Sequence, residues 1–167
     1  MKKILYFTIG LIVIFFSNTF LNDLNLFIFN IKPNLTLIYL VYISIYIGAD
    51  KASLIGLLLG LVIDISVGKY FAYYSLIFFL IGFFCGNLKE KVFKENIFTI
   101  LLLILISSFI DNLLSIIITG FSISNIGVYF LRLSEGVIIN GMISALLFYP
   151  LNMILIKVDE QWWIKWN

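Results

Sequence analysis

Histidine is absent from the 167 residues, and with it go the commonest general base and the commonest metal ligand. A single cysteine, Cys85, excludes an intramolecular disulfide. Only 12% of residues are charged, against roughly 25% in an ordinary soluble domain, which is too little to clothe a water-exposed surface. The net charge of +2, with lysines scattered through short loops, excludes a basic face for nucleic acid. Pro-rich or Gly/Ser linkers, internal repeats and low-complexity tracts are also missing, so nothing divides the chain into separate domains.

What is there is apolar. Hydrophobic residues make up 62% of the chain and the mean hydropathy is +1.12, the composition of an integral membrane protein. Breaks between apolar runs predict six transmembrane helices, at 4–21, 33–48, 52–67, 70–88, 96–119 and 125–156, in one compact all-α bundle, a single polytopic membrane domain. The start, Met1-Lys2-Lys3 and an apolar run, has the outline of a signal peptide. It reaches Leu21 through Ser17-Asn18-Thr19-Phe20 without a small-x-small cleavage site, and reads as a retained first helix. The second and third runs extend only about 24 Å each, short of a ~30 Å hydrocarbon core. They either cross a thinned region or form a hairpin entering from one face.

With the amino terminus in the cytoplasm, Lys2, Lys3, Lys51, Lys89, Lys91, Lys94, Lys157 and Lys165 fall inside and only Lys32 and Lys69 outside. That bias predicts both termini in the cytoplasm. The tail 157–167 gathers Trp162, Trp163 and Trp166 beside lysine, as an interfacial anchor in membrane lipid or a docking site for a cytoplasmic partner. Residues 22–32 alternate Leu and Phe with Asn, as an interfacial segment or part of a partner surface.

Polar and small residues recur at four-residue spacing, the row that keeps to one helix face. The third helix carries Ala52, Gly56, Gly60 and Asp64; the fifth Ser107, Asp111, Ser115 and Thr119; the sixth Arg132, Gly136, Asn140 and Ser144. A close-packing pair, Gly82 and Gly86, lies on the fourth. Lipid supplies no hydrophobic drive for helix association, so small residues and interhelical hydrogen bonds must supply the contact, and the three stripes are expected to face one another. On the topology above, Asp64, Asp111, Arg132 and Glu135 fall in the outer half of the bilayer, with Asp111 about 12 Å and Arg132 about 10 Å from their helix ends. The match predicts an Asp111–Arg132 pair. One arginine cannot neutralise three acids, and Asp64, a turn from its helix end, is the one expected to be wet. This layer is either an ion pair that fixes helix register or an outward cavity for a ligand or partner.

Lys32-Pro33-Asn34-Leu35, then G-x-x-x-G-x-x-x-D-x-x-x-G over Gly56, Gly60, Asp64 and Gly68, then Gly82-x-x-x-Gly86 and Phe93-Lys94-Glu95-Asn96, follow one another in order. In that order and spacing the chain resembles the bacterial rod shape-determining MreD family. The likeness covers the whole chain in length and helix order, and its specific part runs from Pro33 to Asn96. Ala72 stands where family members often carry glycine, which implies a less compact backbone there.

The resemblance implies a noncatalytic subunit of the cell-elongation machinery, without a cofactor. It implies binding to MreC, a single-span protein with an extracytoplasmic domain, and help in linking MreB filaments to RodA and its penicillin-binding transpeptidase during side-wall peptidoglycan synthesis. It also implies a fold like that of the substrate-binding subunits of energy-coupling-factor transporters. The alternative is a small-molecule binder of that transporter type, with Asp64, Asp111, Arg132 and Asn140 around an outward pocket. An enzyme is disfavoured, because Ser107 and Ser115 near Asp111 lack a general base.

Overall fold

The computed structural model describes residues 2–20, 33–67, 72–92, 96–119 and 126–163, and these include six helices. They are α1 (Lys2–Phe20), α2 (Leu35–Ile47), α3 (Ala49–Val67), α4 (Tyr73–Asn87), α5 (Ile97–Thr119) and α6 (Ile126–Trp163). The 22–32 segment, Gly68, Lys69, Phe93 to Glu95 and Trp166 lie outside the described residues.

The shortest helix is the core. α2 is apolar all round, and a helix with no polar face must be surrounded. Every residue from Thr36 to Tyr46 is buried, and α2 touches all five other helices. It starts at Asn34, whose side chain accepts the Leu37 backbone N–H at 3.0 Å, and stops at Gly48, whose φ of 87° suits glycine. Because that one residue is the whole break, α3 begins at Ala49 instead of 52. At 19 residues α3 is about 28 Å long, so the expected short third helix is corrected.

α3 and α4 form the tightest pair in the bundle. A Cβ on Gly60 would lie 2.5 Å from the Ser75 backbone, on Gly82 2.6 Å from the Ala52 carbonyl oxygen, and on Gly86 2.5 Å from the Ala49 backbone. On Gly56 it would overlap the Phe78 carbonyl. The two glycine pairs therefore interlock, each helix laying its small residues against the other's main chain.

α5 and α6 pair with each other and reach the rest through α2, with a small contact to α4. Among the described residues neither touches α1 or α3. The expected convergence of three polar stripes is thus corrected: α3's stripe is spent on α4, while α5's meets α4 and the Asn34 end of α2, and α6's meets α5 and α2. α6 also runs on through Pro150 to Trp163, 38 residues or about 57 Å, so Trp162 and Trp163 end a continuous helix and not a separate tail. α5 over Ile97–Ile118 and α6 over Gly127–Met153 are long and apolar enough to cross a membrane. Their outward faces, with Phe98, Leu102, Phe130, Ile138 and Leu146, are apolar and exposed, a surface suited to lipid and not to water.

Candidate functional site

Asp64 is buried, 8% exposed, and fully used. It accepts the backbone N–H of Tyr74 at 2.9 Å and of Ser75 at 3.0 Å, and the Ser75 hydroxyl at 2.5 Å. Those amides are orphan donors of the first turn of α4, which follows Ala72, a residue with no side-chain acceptor. The cap that α4 lacks locally is supplied across the hairpin from α3, and the positive end of the α4 dipole favours the carboxylate. The expectation of a wet Asp64 is corrected: nearness to its own helix end says nothing about the neighbouring helix that begins beside it.

Asn34 is the second fixed point. Its Nδ2 donates to Asp111 at 3.1 Å and its backbone N–H to the Asn140 Oδ1 at 2.8 Å, while Asn140 Nδ2 donates to the Ser108 hydroxyl at 3.0 Å. The start of α2 is thereby tied to α5 and α6. Tyr73 donates to the Asp111 main-chain carbonyl at 2.9 Å and approaches its Oδ1 at 3.4 Å, adding α4 to the same cluster. A cavity of about 240 Å³ opens here, walled by Asn34, Thr36, Tyr73, Tyr74, Asp111 and Asn112. The ends of α1 and α3 close its apolar side through Ile14, Ile63 and Val67.

A family model, rod shape-determining protein MreD, matches residues 1–158. The chain belongs to the MreD family. MreD-family proteins are rod-shape-determining membrane proteins. No curated protein and no solved structure matches the chain.

The glycine-and-aspartate segment of this MreD-family chain now has a physical account. Gly56 and Gly60 bring α4 to backbone contact, and Asp64, one turn on, caps the helix so placed. Ala72 keeps the left-handed φ of 62° in the turn before α4, the conformation glycine adopts freely, so the expected loosening of that backbone is not seen.

Asn140 lies against Ser108 and Gly136 against Asn112, so the α5–α6 register sets the Arg132 backbone opposite Ile116, about 7 Å along from Asp111, and Glu135 opposite Leu113, about 3 Å from it. The Arg132 side chain lies outside the described residues. Glu135 has a buried Oε2 with no hydrogen-bond partner among them, so two of the three acids are met by neutral donors and the third is not.

Sequence reasoning missed the tyrosines of α2. Tyr39 donates to the Tyr6 carbonyl at 2.7 Å, Tyr42 to the Ser144 carbonyl at 3.0 Å, and Tyr46 to Asn152. It also quoted Asn34 only as part of a motif, although Pro-Asn ahead of an apolar run is itself an N-cap signature. No three His, Cys, Asp or Glu side chains converge as a metal site among the described residues.

Proposed function

We propose that this chain is a noncatalytic scaffold of the bacterial cell-elongation complex, binding MreC and so helping to link MreB filaments to RodA and its transpeptidase during side-wall peptidoglycan synthesis. It sits in the inner membrane with six spans and both termini cytoplasmic, in a bundle of the energy-coupling-factor substrate-subunit type. The cavity carries the reading. It is lined by the later part of α1, the start of α2, the end of α3, the start of α4 and the later part of α5, as an up-and-down topology with a cytoplasmic amino terminus requires of one outer face.

MreC enters from that face, and a polar mouth on a backbone-welded hairpin is a receptor that holds its shape while a partner docks. At about 240 Å³ the cavity falls below the roughly 300–1,000 Å³ usual for small-molecule pockets, which favours a protein segment over a vitamin-sized ligand. The test is recovery of MreC with the purified full-length protein. Gly60→Leu and Asp64→Leu are expected to insert normally and to lose most co-purified MreC; undiminished recovery with both variants refutes the scaffold reading at this site.

A further inference from the structure

The chemistry of the cavity specifies what its occupant carries. Asp111 contributes a carboxylate with about four acceptor positions. Its described partners are neutral: Asn34 Nδ2 at 3.1 Å, and the Tyr73 hydroxyl, whose single proton is committed to the main-chain carbonyl at 2.9 Å. Among the described residues, Oδ1 has the 3.4 Å approach alone. None of the described residues that wall the cavity is a lysine or arginine. The rings of Tyr73 and Tyr74, packed edge to face at 4.9 Å, form one side, and aromatic faces attract cations. At about 30 Å³ per water, the space holds about eight waters, enough for one long side chain.

We infer that the cavity is a cation receptor: the docked protein inserts a lysine or arginine head group beside Asp111, against the two tyrosine rings. This rests on the scaffold reading and deepens it, since it names the charge and size of the inserted group. The carboxylate keeps Asn34 in place before docking and gains an ionic partner afterwards, so the unliganded site is neither collapsed nor fully satisfied.

The experiment measures MreC affinity of the full-length protein in lipid nanodiscs at several salt concentrations. Asp111→Asn keeps an acceptor for Asn34 and removes the charge; affinity is expected to fall at least about tenfold, with a weaker salt dependence. Asp111→Lys is expected to abolish binding, and a Lys→Glu or Arg→Glu substitution in the membrane-proximal part of MreC to restore it. Should Asp111→Asn fail to fold, Ser115→Lys serves instead. It places an ammonium four residues along the same helix face, and is expected to lower affinity at least about tenfold more than Ser115→Met, which matches its length without charge. Equal affinities for wild type and Asp111→Asn, or for Ser115→Lys and Ser115→Met, overturn the cation receptor and leave the scaffold standing. Absence of MreC binding by the wild-type protein overturns both.

Discussion

Replacing Asp64 with alanine removes the whole cross-helix cap of α4. The Tyr74 and Ser75 amides lose an anionic acceptor, and the Ser75 hydroxyl loses the partner it donates to at 2.5 Å. An N-cap is worth about 0.5–2 kcal/mol, and each buried donor left without a partner costs about 1–3 kcal/mol. The turn ahead of α4 offers no side-chain substitute, because its N-cap position is Ala72. Some relaxation toward other acceptors is unavoidable, so the net loss is expected at about 2–4 kcal/mol. Asp64→Asn keeps one oxygen for the two amides and gives up the charge, and is expected to lose about half as much. Thermal or denaturant unfolding of the purified protein in one detergent, with wild type, Asp64→Asn and Asp64→Ala side by side, reads this order directly. If Asp64→Ala unfolds with the wild type, the carboxylate is not the cap of α4.

Three further outcomes follow from the same geometry. Gly60→Ala and Gly82→Ala drive a Cβ into opposing main chain at 2.5 and 2.6 Å, and each is expected to destabilise by about 1–3 kcal/mol in the same unfolding assay, whereas Gly127→Ala, with nothing within 4 Å, is expected to be neutral or slightly stabilising. Ala72→Gly relieves a left-handed residue at φ 62° and is expected to raise stability by about 1 kcal/mol; a loss there means the turn is not left-handed. Tyr42→Phe and Tyr46→Phe each delete one bond from α2 to α6, so about 0.6 kcal/mol apiece, with faster amide exchange at the inner part of α6, is the expected result.

Helix number and order were legible because each apolar run ends at a polar or glycine break. The glycine stripe was legible as packing because a four-residue period keeps to one face. Which face meets which was not. Periodicity assigns Ala52, Gly56, Gly60 and Asp64 to one stripe, but only the tertiary arrangement makes that stripe answer to α4 and interposes α2 between α3 and the α5–α6 pair. Asp64 shows the limit most clearly: its position in its own helix pointed to water, and its actual partners are two amides ten and eleven residues on, across a turn. Charge arithmetic could match only one acid to the single arginine, while among the described residues Asp64 and Asp111 are met by amide and hydroxyl donors, which carry no charge for composition to reveal.

The two halves of the bundle are held by different means, and the cavity lies where they meet. α3 and α4 are joined by backbone contact at four glycines, which leaves no room to slide. The α5–α6 pair is docked to α2 and α4 through buried apolar side chains such as Ile100, Ile104 and Phe148 and through hydrogen bonds at Asn34, Tyr42, Tyr46 and Tyr73. Interhelical hydrogen bonds in membranes average about 0.6 kcal/mol and side chains can change rotamer, whereas the glycine contacts seat main chain on main chain. Asp64 connects the two regimes: by fixing the first turn of α4 it fixes Tyr73 and Tyr74, the aromatic wall facing Asp111. On the cation-receptor reading, an occupant that pulls on Asp111 therefore works against a wall anchored by the glycine contacts, and α5, which carries Asp111, is the element on which it acts.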